Sequence, residues 1–258
     1  MSKIFHILQT SFTGRGLKQW DEDWLKLRIG IFKEFTVPSL MNQTEKNFIH
    51  WITFRPQDKG NNLIAGLMRD LAIMNHKCVI SFTGQPYFYT HAGNADLKDR
   101  VKNGLNIMKE FYNDEPFVYL SVIDSDDLYH KDAIAEIQSH EYAENRALFY
   151  KLGYLLNVKT LELATYTGGM RCPPFWTILY KAEDFWDVEK YLEHTRTVVH
   201  HDIPIKYDAV LLTDFRYAMG VGHGSNTSTR WHDPAKIADI TDLDERKALL
   251  KDLGVEHD

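Results

Sequence analysis

The amino-acid sequence predicts an α/β fold in which helices flank a mostly parallel, Rossmann-like sheet, followed by a half with mixed strands. Two observations lead to this prediction. Short apolar runs alternate with amphipathic helical patterns through the first half of the chain, and this order is typical of parallel βαβ units. Beyond residue 147, strand patterns follow one another without a helix between them, which is typical of a hairpin.

The individual elements follow from periodicity and from turn residues. In the first half, strands are predicted at 3–9, 48–54, 77–82 and 119–123, and helices at 21–38, 63–74 and 95–112. The first helix is expected to end at Val37-Pro38, because the residue before a proline disfavours the helical conformation. Residues 119–123 carry no formal charge, as in a strand buried on both faces of a parallel sheet.

The second half is predicted to contain strands at 147–156, 159–165 and 175–181, and helices at 182–193 and 241–253. The first two strands are expected to pair around Asn157-Val158. Thr241 is the expected N-cap of the final helix. We expect one domain over residues 1–258.

Composition narrows the classes of function. The 258 residues are 44% hydrophobic and 26% charged, which is ordinary for a globular protein. The net charge is −6, so the chain lacks a domain-wide basic field and general nucleic-acid binding is not expected. Two cysteines, Cys78 and Cys172, predict a reduced, cytoplasmic protein. No run approaches 18 apolar residues, so no membrane span is expected.

An acidic turn follows the fourth predicted strand. Asp124, Asp126 and Asp127 arrive where that strand should end, and the carboxyl ends of strands form the ligand crevice of an open α/β sheet. Two ionised carboxylates about 5 Å apart repel by roughly 3 kcal/mol at an effective dielectric of about 20. A proton, a basic side chain or a divalent cation must compensate, and oxygen ligands favour Mg²⁺ or Mn²⁺. The alternative is an Asp-rich turn that caps the next helix.

Other candidate site residues lie near predicted strand ends. Thr10 and Ser11 follow the first strand, where nucleotide-binding α/β folds often contact a base or ribose, although no G-x-G-x-x-G fingerprint is present. Arg28, on the first helix, and Arg55, after the second strand, are candidates for binding a cofactor's phosphate or base. His223 lies in a loop rich in Gly, Ser and Thr, which allows close backbone approach to phosphate.

Several segments together carry a family resemblance. They are Trp24-Leu25-Lys26-Leu27-Arg28-Ile29-Gly30-Ile31-Phe32, Pro38-Ser39-Leu40, Gln43-Thr44, Phe48-Ile49-His50-Trp51, Ile123-Asp124-Ser125-Asp126-Asp127, Pro174-Phe175-Trp176-Thr177-Ile178-Leu179-Tyr180 and Val221-Gly222-His223-Gly224-Ser225-Asn226. This set resembles the rhamnosyltransferase-like glycosyltransferases of the GT-A fold, with the acidic turn as the D-x-D element.

The resemblance implies a nucleotide-binding half at 1–130 and an acceptor half at 131–258. It also implies a nucleotide-sugar donor, a glycan or other hydroxyl-bearing acceptor, and Mn²⁺ or Mg²⁺ on the diphosphate. Asp126 would be the leading metal ligand, Asp124 would meet the ribose or the metal, and His223 would complete the coordination. If the reaction inverts, a carboxylate must accept the acceptor's proton; Asp202 is the first candidate and Asp184 the second.

Two alternatives remain open at this point. A phosphohydrolase of the haloacid-dehalogenase type also places Asp-x-Asp at a strand end, but there the element normally opens the domain, whereas three strand–helix units precede it here. The second alternative is a non-catalytic nucleotide- or sugar-binding protein of the same fold.

Overall fold

The fold is described for residues 4–12, 22–83, 95–167, 175–195, 203–224, 231–233 and 235–255 of a computed structural model. The strands are β1 (Ile4–Ser11), β2 (Ile49–Thr53), β3 (Cys78–Ser81), β4 (Phe117–Val122), β5 (Leu128–Tyr129), β6 (Arg146–Tyr150), β7 (Leu152–Asn157), β8 (Leu163–Thr167), β9 (Trp176–Lys181), β10 (Asp208–Leu212), β11 (Tyr217–Val221) and β12 (Lys236–Asp239).

The helices cover the faces and ends of these strands. They are α1 (Glu22–Ile31), α2 (Val37–Met41), α3 (Asn62–Ile73), α4 (Ala95–Lys109), α5 (Ala133–Ser139), α6 (Ala182–Trp186), α7 (Val188–Thr195), α8 (Ile203–Lys206) and α9 (Leu243–Asp252). A π-helical turn, Phe32–Thr36, joins α1 to α2, and a short 3₁₀ turn, Pro56–Asp58, precedes α3.

The larger sheet has seven strands within the described residues, in the order β10-β6-β9-β4-β1-β2-β3. Its paired neighbours are parallel except at β9, which is antiparallel to both β4 and β6. The α/β fold class with a mostly parallel sheet is therefore confirmed. The chain adds β2 and β3 on one side of β1 and β4 on the other, so a crevice is expected at the carboxyl ends of β1 and β4.

The smaller sheet has the order β12-β8-β7-β11-β5 and mixes parallel with antiparallel pairs. Its β5 comes almost directly after β4 of the larger sheet, and β11 pairs with β5 from Ala218 and Tyr217. The short connection between β4 and β5 therefore lies where the two sheets meet. That connection is the acidic turn.

Both faces of the larger sheet are covered by apolar clusters, as the uncharged pattern of residues 119–123 predicts. On one face, Phe5, Ile7 and Trp51 pack with Val101 and Leu105 of α4. On the other face, a second cluster joins the sheet to α1 and α3. That cluster contains Phe12, Leu25, Ile29, Phe32, Ile52, Phe54, Ile64 and Leu67.

Two sequence-based boundaries are wrong. The single strand predicted at 147–156 is two strands, β6 in the larger sheet and β7 in the smaller one, with Lys151 between them. The alternation of Leu148, Tyr150, Leu152 and Tyr154 continues across the break, so periodicity cannot locate it. The first helix also does not end at Val37-Pro38, because helical structure continues through α2.

The helix predicted at 182–193 and the final cap also differ from the structure. Asp187 has extended backbone and ends α6. Its side chain accepts hydrogen bonds from the N–H groups of Glu189 and Lys190, at 2.9 and 3.1 Å, and so caps α7. The final helix is capped by Asp242 rather than Thr241, since Asp242 Oδ1 accepts from the Glu245 N–H at 2.8 Å.

Candidate active site

The acidic turn places three carboxylates together at the carboxyl end of β4. Ligand oxygens of Asp124, Asp126 and Asp127 lie within 4.8 Å of one another. Asp126 is 5% exposed and Asp127 is 3% exposed, while Asp124 is only partly buried. The Asp127 N–H donates to the Asp124 carbonyl at 3.2 Å and closes the turn. The turn therefore buries two acids and leaves the third nearest to solvent.

Arg28 is the basic partner of this turn. The helical spacing of α1 points Leu25 and Ile29 into the core and Arg28 toward the sheet end, where it is 8% exposed. Its guanidinium makes a two-point contact with Asp126, with Nη2 donating to Oδ1 at 2.6 Å and Nη1 donating to Oδ2. It also donates to Ser125 Oγ at 2.8 and 3.1 Å. An arginine–carboxylate pair with two parallel hydrogen bonds is stronger than a pair with a single contact.

His223 reaches the same carboxylate from the end of β11. Its Nε2 lies 3.1 Å from Asp126 Oδ2 and 3.2 Å from the Gly220 carbonyl oxygen. Both neighbours are acceptors, so a proton on Nε2 satisfies them. In this arrangement His223 donates to Asp126, and ligation of a metal through Nε2 would first require loss of that proton.

Gly220 holds the second sheet against the turn. Its N–H donates to Asp127 Oδ1 at 3.1 Å. A Cβ at this position would lie 2.0 Å from the backbone oxygen of Asp126, so no other residue type fits. The close approach of β11 to the turn therefore depends on the absence of a side chain.

The electrostatics of the two buried acids differ. Burial raises the pKa of Asp126, but the charge of Arg28 and the hydrogen bond from His223 outweigh it and lower that pKa below its ordinary value. Burial, followed by repulsion from Asp126 and Asp124, raises the pKa of Asp127 well above its ordinary value. The Arg28 guanidinium balances only part of the negative charge of the three acids. The remaining negative charge and the carboxylate oxygens fit a divalent cation.

The first-strand candidates lie on opposite faces of the larger sheet. Thr10 is fully buried, and its Oγ1 lies 2.9 Å from His50 Nε2. The structure therefore does not bring Thr10 to the acidic turn. Ser11 lies on the other face and accepts a hydrogen bond from Thr53 Oγ1 at 3.0 Å.

Gln9 was missed by the sequence analysis. It pairs with Val122 of β4, two residues before Asp124, and its side chain is fully buried. Neither atom of its amide has a hydrogen-bond partner among the described residues. Leaving a buried amide without a hydrogen bond costs free energy of folding. The only feature of the sequence that could have pointed to Gln9 is a polar residue at the end of an apolar strand.

Arg55 lies at the end of β2, away from the carboxylates. Its guanidinium contacts Asp58, with Nε donating to Oδ2 at 2.7 Å. A cavity of about 430 Å³ opens beside this pair, and its lining includes Glu22, Leu25, Arg55, Asp58, Asn61 and Asn62. Glu22 and Leu25 belong to α1, so the helix that carries Arg28 also lines this cavity.

The two candidate bases have different outcomes. Asp184 lies on α6, which begins at the amino end of β4, because Lys181 pairs with Phe117 and the Ala182 N–H donates to the Pro116 carbonyl. The acidic turn follows the other end of β4, roughly 20 Å away for six residues of strand. Asp184 forms an ion pair with Lys190 instead, and we do not retain it as a base. Asp202 lies outside the described residues.

Comparison with protein families finds one match. Residues 5–75 match the model of the family described as "Putative rhamnosyl transferase". This segment contains Thr10, Ser11, Arg28 and Arg55 but ends before the acidic turn. The match confirms the family resemblance and supports a glycosyltransferase. No protein of curated function matches the chain.

Comparison with solved structures finds distant similarities. TarS 1–349 of S. aureus is 13% identical with a TM-score of 0.43 over 84% of this chain and 60% of that chain. A cytidylyltransferase of Leptospira borgpetersenii is 13% identical, with a TM-score of 0.35 over 84% and 78%. A "putative nucleotide-diphospho-sugar transferase" of Desulfovibrio desulfuricans is 14% identical, with 0.36 over 85% and 82%. All three TM-scores are below 0.5, so neither fold nor activity is inferred from them.

The helices carry one further result. Among the described residues, no helix combines the length and the apolar character needed to cross a bilayer.

Proposed function

We propose that this chain, whose residues 5–75 match the "Putative rhamnosyl transferase" family, is a glycosyltransferase that moves a sugar from a nucleotide-sugar donor to an acceptor hydroxyl. The observation that carries the proposal is the acidic turn. Three carboxylates lie at the carboxyl end of β4, beside the switch point between β1 and β4, where ligands of open α/β sheets bind.

The donor's diphosphate would lie against this turn. Asp124 is the most exposed of the three acids, which supports the proposal that it meets the ribose or a metal. Ser11 ends β1, which pairs with β4, and Arg55 follows β2, which pairs with the other side of β1. Both are proposed to contact the nucleoside, since the cavity beside Arg55 has a volume of about 430 Å³, within the range of ligand pockets.

A divalent cation, Mn²⁺ or Mg²⁺, would be held by Asp124 and Asp126, with His223 as the third candidate ligand. Such a cation supplies Lewis-acid stabilisation of the charge that develops on the leaving diphosphate. The chain's own residues orient the site: Arg28 and His223 hold the Asp126 carboxylate from two directions, and Gly220 positions Asp127.

If the reaction inverts the configuration of the sugar, a carboxylate takes the proton of the acceptor hydroxyl. Asp202 remains the proposed base. Asp202→Asn should then lower turnover far more than donor affinity, and wild-type turnover in this variant would eliminate Asp202 from that role.

The proposal is tested by incubating the protein with Mn²⁺ and a panel of nucleotide sugars. Sugar-dependent release of nucleoside diphosphate is the expected result. Binding of the donor without turnover under any acceptor would instead indicate a non-catalytic binding protein. Release of inorganic phosphate from phosphate esters, without nucleotide-sugar turnover, would indicate the phosphohydrolase alternative.

A further inference from the structure

The Asp126 carboxylate of the candidate site already has a cationic partner within the protein, the guanidinium of Arg28. Arg28 and Asp126 are both nearly buried, and the guanidinium donates to both carboxylate oxygens. His223 Nε2 lies 3.1 Å from Oδ2 as well. A carboxylate offers about four lone-pair positions, so Arg28 and His223 together take at least three of them.

Arg28 is itself held in place from several sides. Its Nε and Nη2 both donate to Ser125 Oγ, and its Cζ lies 5.7 Å from the centre of the Trp24 ring, within the range of a cation–π contact. These contacts fix the guanidinium beside the acidic turn rather than in solvent. The positive charge is therefore a permanent part of the cluster.

A metal ion that binds Asp126 must contend with this charge. It would compete for the same oxygens, and two cations on one carboxylate repel each other strongly in a buried site. Arg28 thus lowers the affinity of the site for a divalent cation, although it neutralises Asp126 when no cation is bound.

We propose that Arg28 is a built-in counter-ion that competes with the divalent cation for Asp126 and so sets the metal affinity of the site. The inference rests on the proposed function, because that function supplies the metal. Arg28 is a positioning residue here, acting on the metal through Asp126. A purely structural arginine would have the opposite signature, since its loss would loosen the turn and weaken metal binding.

The test is titration with Mn²⁺ alone, with free Mn²⁺ measured by electron paramagnetic resonance. Arg28→Gln removes the competing charge and should bind Mn²⁺ about tenfold more tightly than the wild type. Arg28→Lys keeps the charge but loses the two-point contact and should bind about threefold more tightly. Lys26→Gln removes a charge from an exposed position of the same helix and should leave the affinity unchanged.

Thermal unfolding provides a second measurement. Without metal, the Arg28→Gln variant has a buried Asp126 carboxylate that lacks its guanidinium partner. The Tm of this variant should therefore fall below that of the wild type. Mn²⁺ should restore most of this loss, because the ion takes over the missing charge, whereas it should shift the wild-type Tm much less. Should Arg28→Gln fail to fold even with Mn²⁺, the comparison of Arg28→Lys with the wild type decides.

Two results would overturn the inference, and they are distinguishable. If the wild type binds Mn²⁺ and the folded Arg28 variants bind it equally or more weakly, Arg28 does not compete, and the proposed function stands. If neither the wild type nor any variant binds Mn²⁺, the metal dependence of the proposed function fails together with the inference.

Discussion

At the scale of single residues, Asp126 is the centre of the candidate site. Its carboxylate contacts Arg28 and His223, and Arg28 also donates a hydrogen bond to the neighbouring Ser125. The family resemblance implied that Asp126 is the leading metal ligand of the D-x-D element. It did not predict the partner, because Arg28 lies 98 positions earlier and an arginine on an amphipathic helix is normally solvated.

Asp126→Asn should abolish metal-dependent donor binding. Because it also leaves Arg28 buried without its counter-charge, it should lower the free energy of unfolding by about 3 kcal/mol. Urea unfolding and nucleotide binding with Mn²⁺ measure the two effects. Asp124→Asn is the matched control, since Asp124 is more exposed: it should weaken binding with little loss of stability. Unchanged donor affinity in Asp126→Asn would remove Asp126 from the site.

His223→Ala should weaken Mn²⁺ or diphosphate binding by roughly tenfold, which is a typical effect of losing a residue that orients a metal ligand. The physical reason is the 3.1 Å contact from Nε2 to Asp126 Oδ2. The measurement is the Mn²⁺ dependence of donor binding. A normal dependence in this variant would show that His223 has only a structural role.

At the scale of elements, the site depends on how closely β11 approaches the acidic turn. Gly220 makes that approach possible, because a Cβ there would lie 2.0 Å from the Asp126 backbone oxygen. Periodicity alone could not show this, since a glycine in a strand pattern is compatible with a bulge, a bend or a close contact.

Gly220→Ala should push β11 away from the turn and lower the free energy of unfolding by about 3 kcal/mol, the upper end of the usual cost of overpacking. It should also weaken donor binding, because the Gly220 N–H positions Asp127. Gly30→Ala, on the exposed side of α1, has open space around its new Cβ and should stabilise the protein by about 0.5–1 kcal/mol. Urea unfolding measures both; wild-type stability of Gly220→Ala would contradict the close approach.

The π-helical turn before α2 shows a second effect at this scale. The Val37 N–H donates to the Phe32 carbonyl, five residues back, directly before Pro38, which has no N–H to donate. A wider helical turn lets the chain pass a proline without ending the helical segment. The rule that a helix ends before proline therefore failed here.

At the scale of the whole molecule, stability should depend on pH through buried histidines. Burial lowers the pKa of His6 to about 3 and that of His76 to about 4, and burial with the neighbouring His76 lowers that of His50. These imidazoles charge readily only in the unfolded chain, near the ordinary value of 6.5. Their contribution is therefore present above pH 6.5 and is lost as the pH falls toward the folded values.

Asp127 acts in the opposite direction, because its raised pKa favours the folded state at low pH and this contribution is lost as the pH rises. Three histidines outweigh one acid, so the free energy of unfolding should fall by about 3 kcal/mol between pH 7 and pH 5. Urea unfolding across this range measures the slope. His6→Gln should reduce the slope by about one proton, and stability that rises toward pH 5 would contradict the assignment.

The site is also a property of the whole molecule, since the turn comes from β4, Arg28 from α1 and His223 from the end of β11. The sequence predicted each of these residues separately. Their contacts needed the two sheets to meet at the turn. The sequence likewise could not show that the helix of Asp184, a candidate base, lies at the opposite end of β4 from the acidic turn, because that position also depends on strand pairing.

The sequence by itself determined the positions of the first four strands along the chain, the parallel βαβ character of the first half, the acidic turn and the family resemblance. These depend on local periodicity, on charge and on motifs, which are properties of neighbouring residues. Only the tertiary structure decided that Arg28 neutralises Asp126 and that the Thr10 hydroxyl lies against His50. It also decided that the buried Gln9 amide has no hydrogen-bond partner within the described part of the chain. Those outcomes depend on which distant segments pack together and on the desolvation that follows, and no local pattern carries that information.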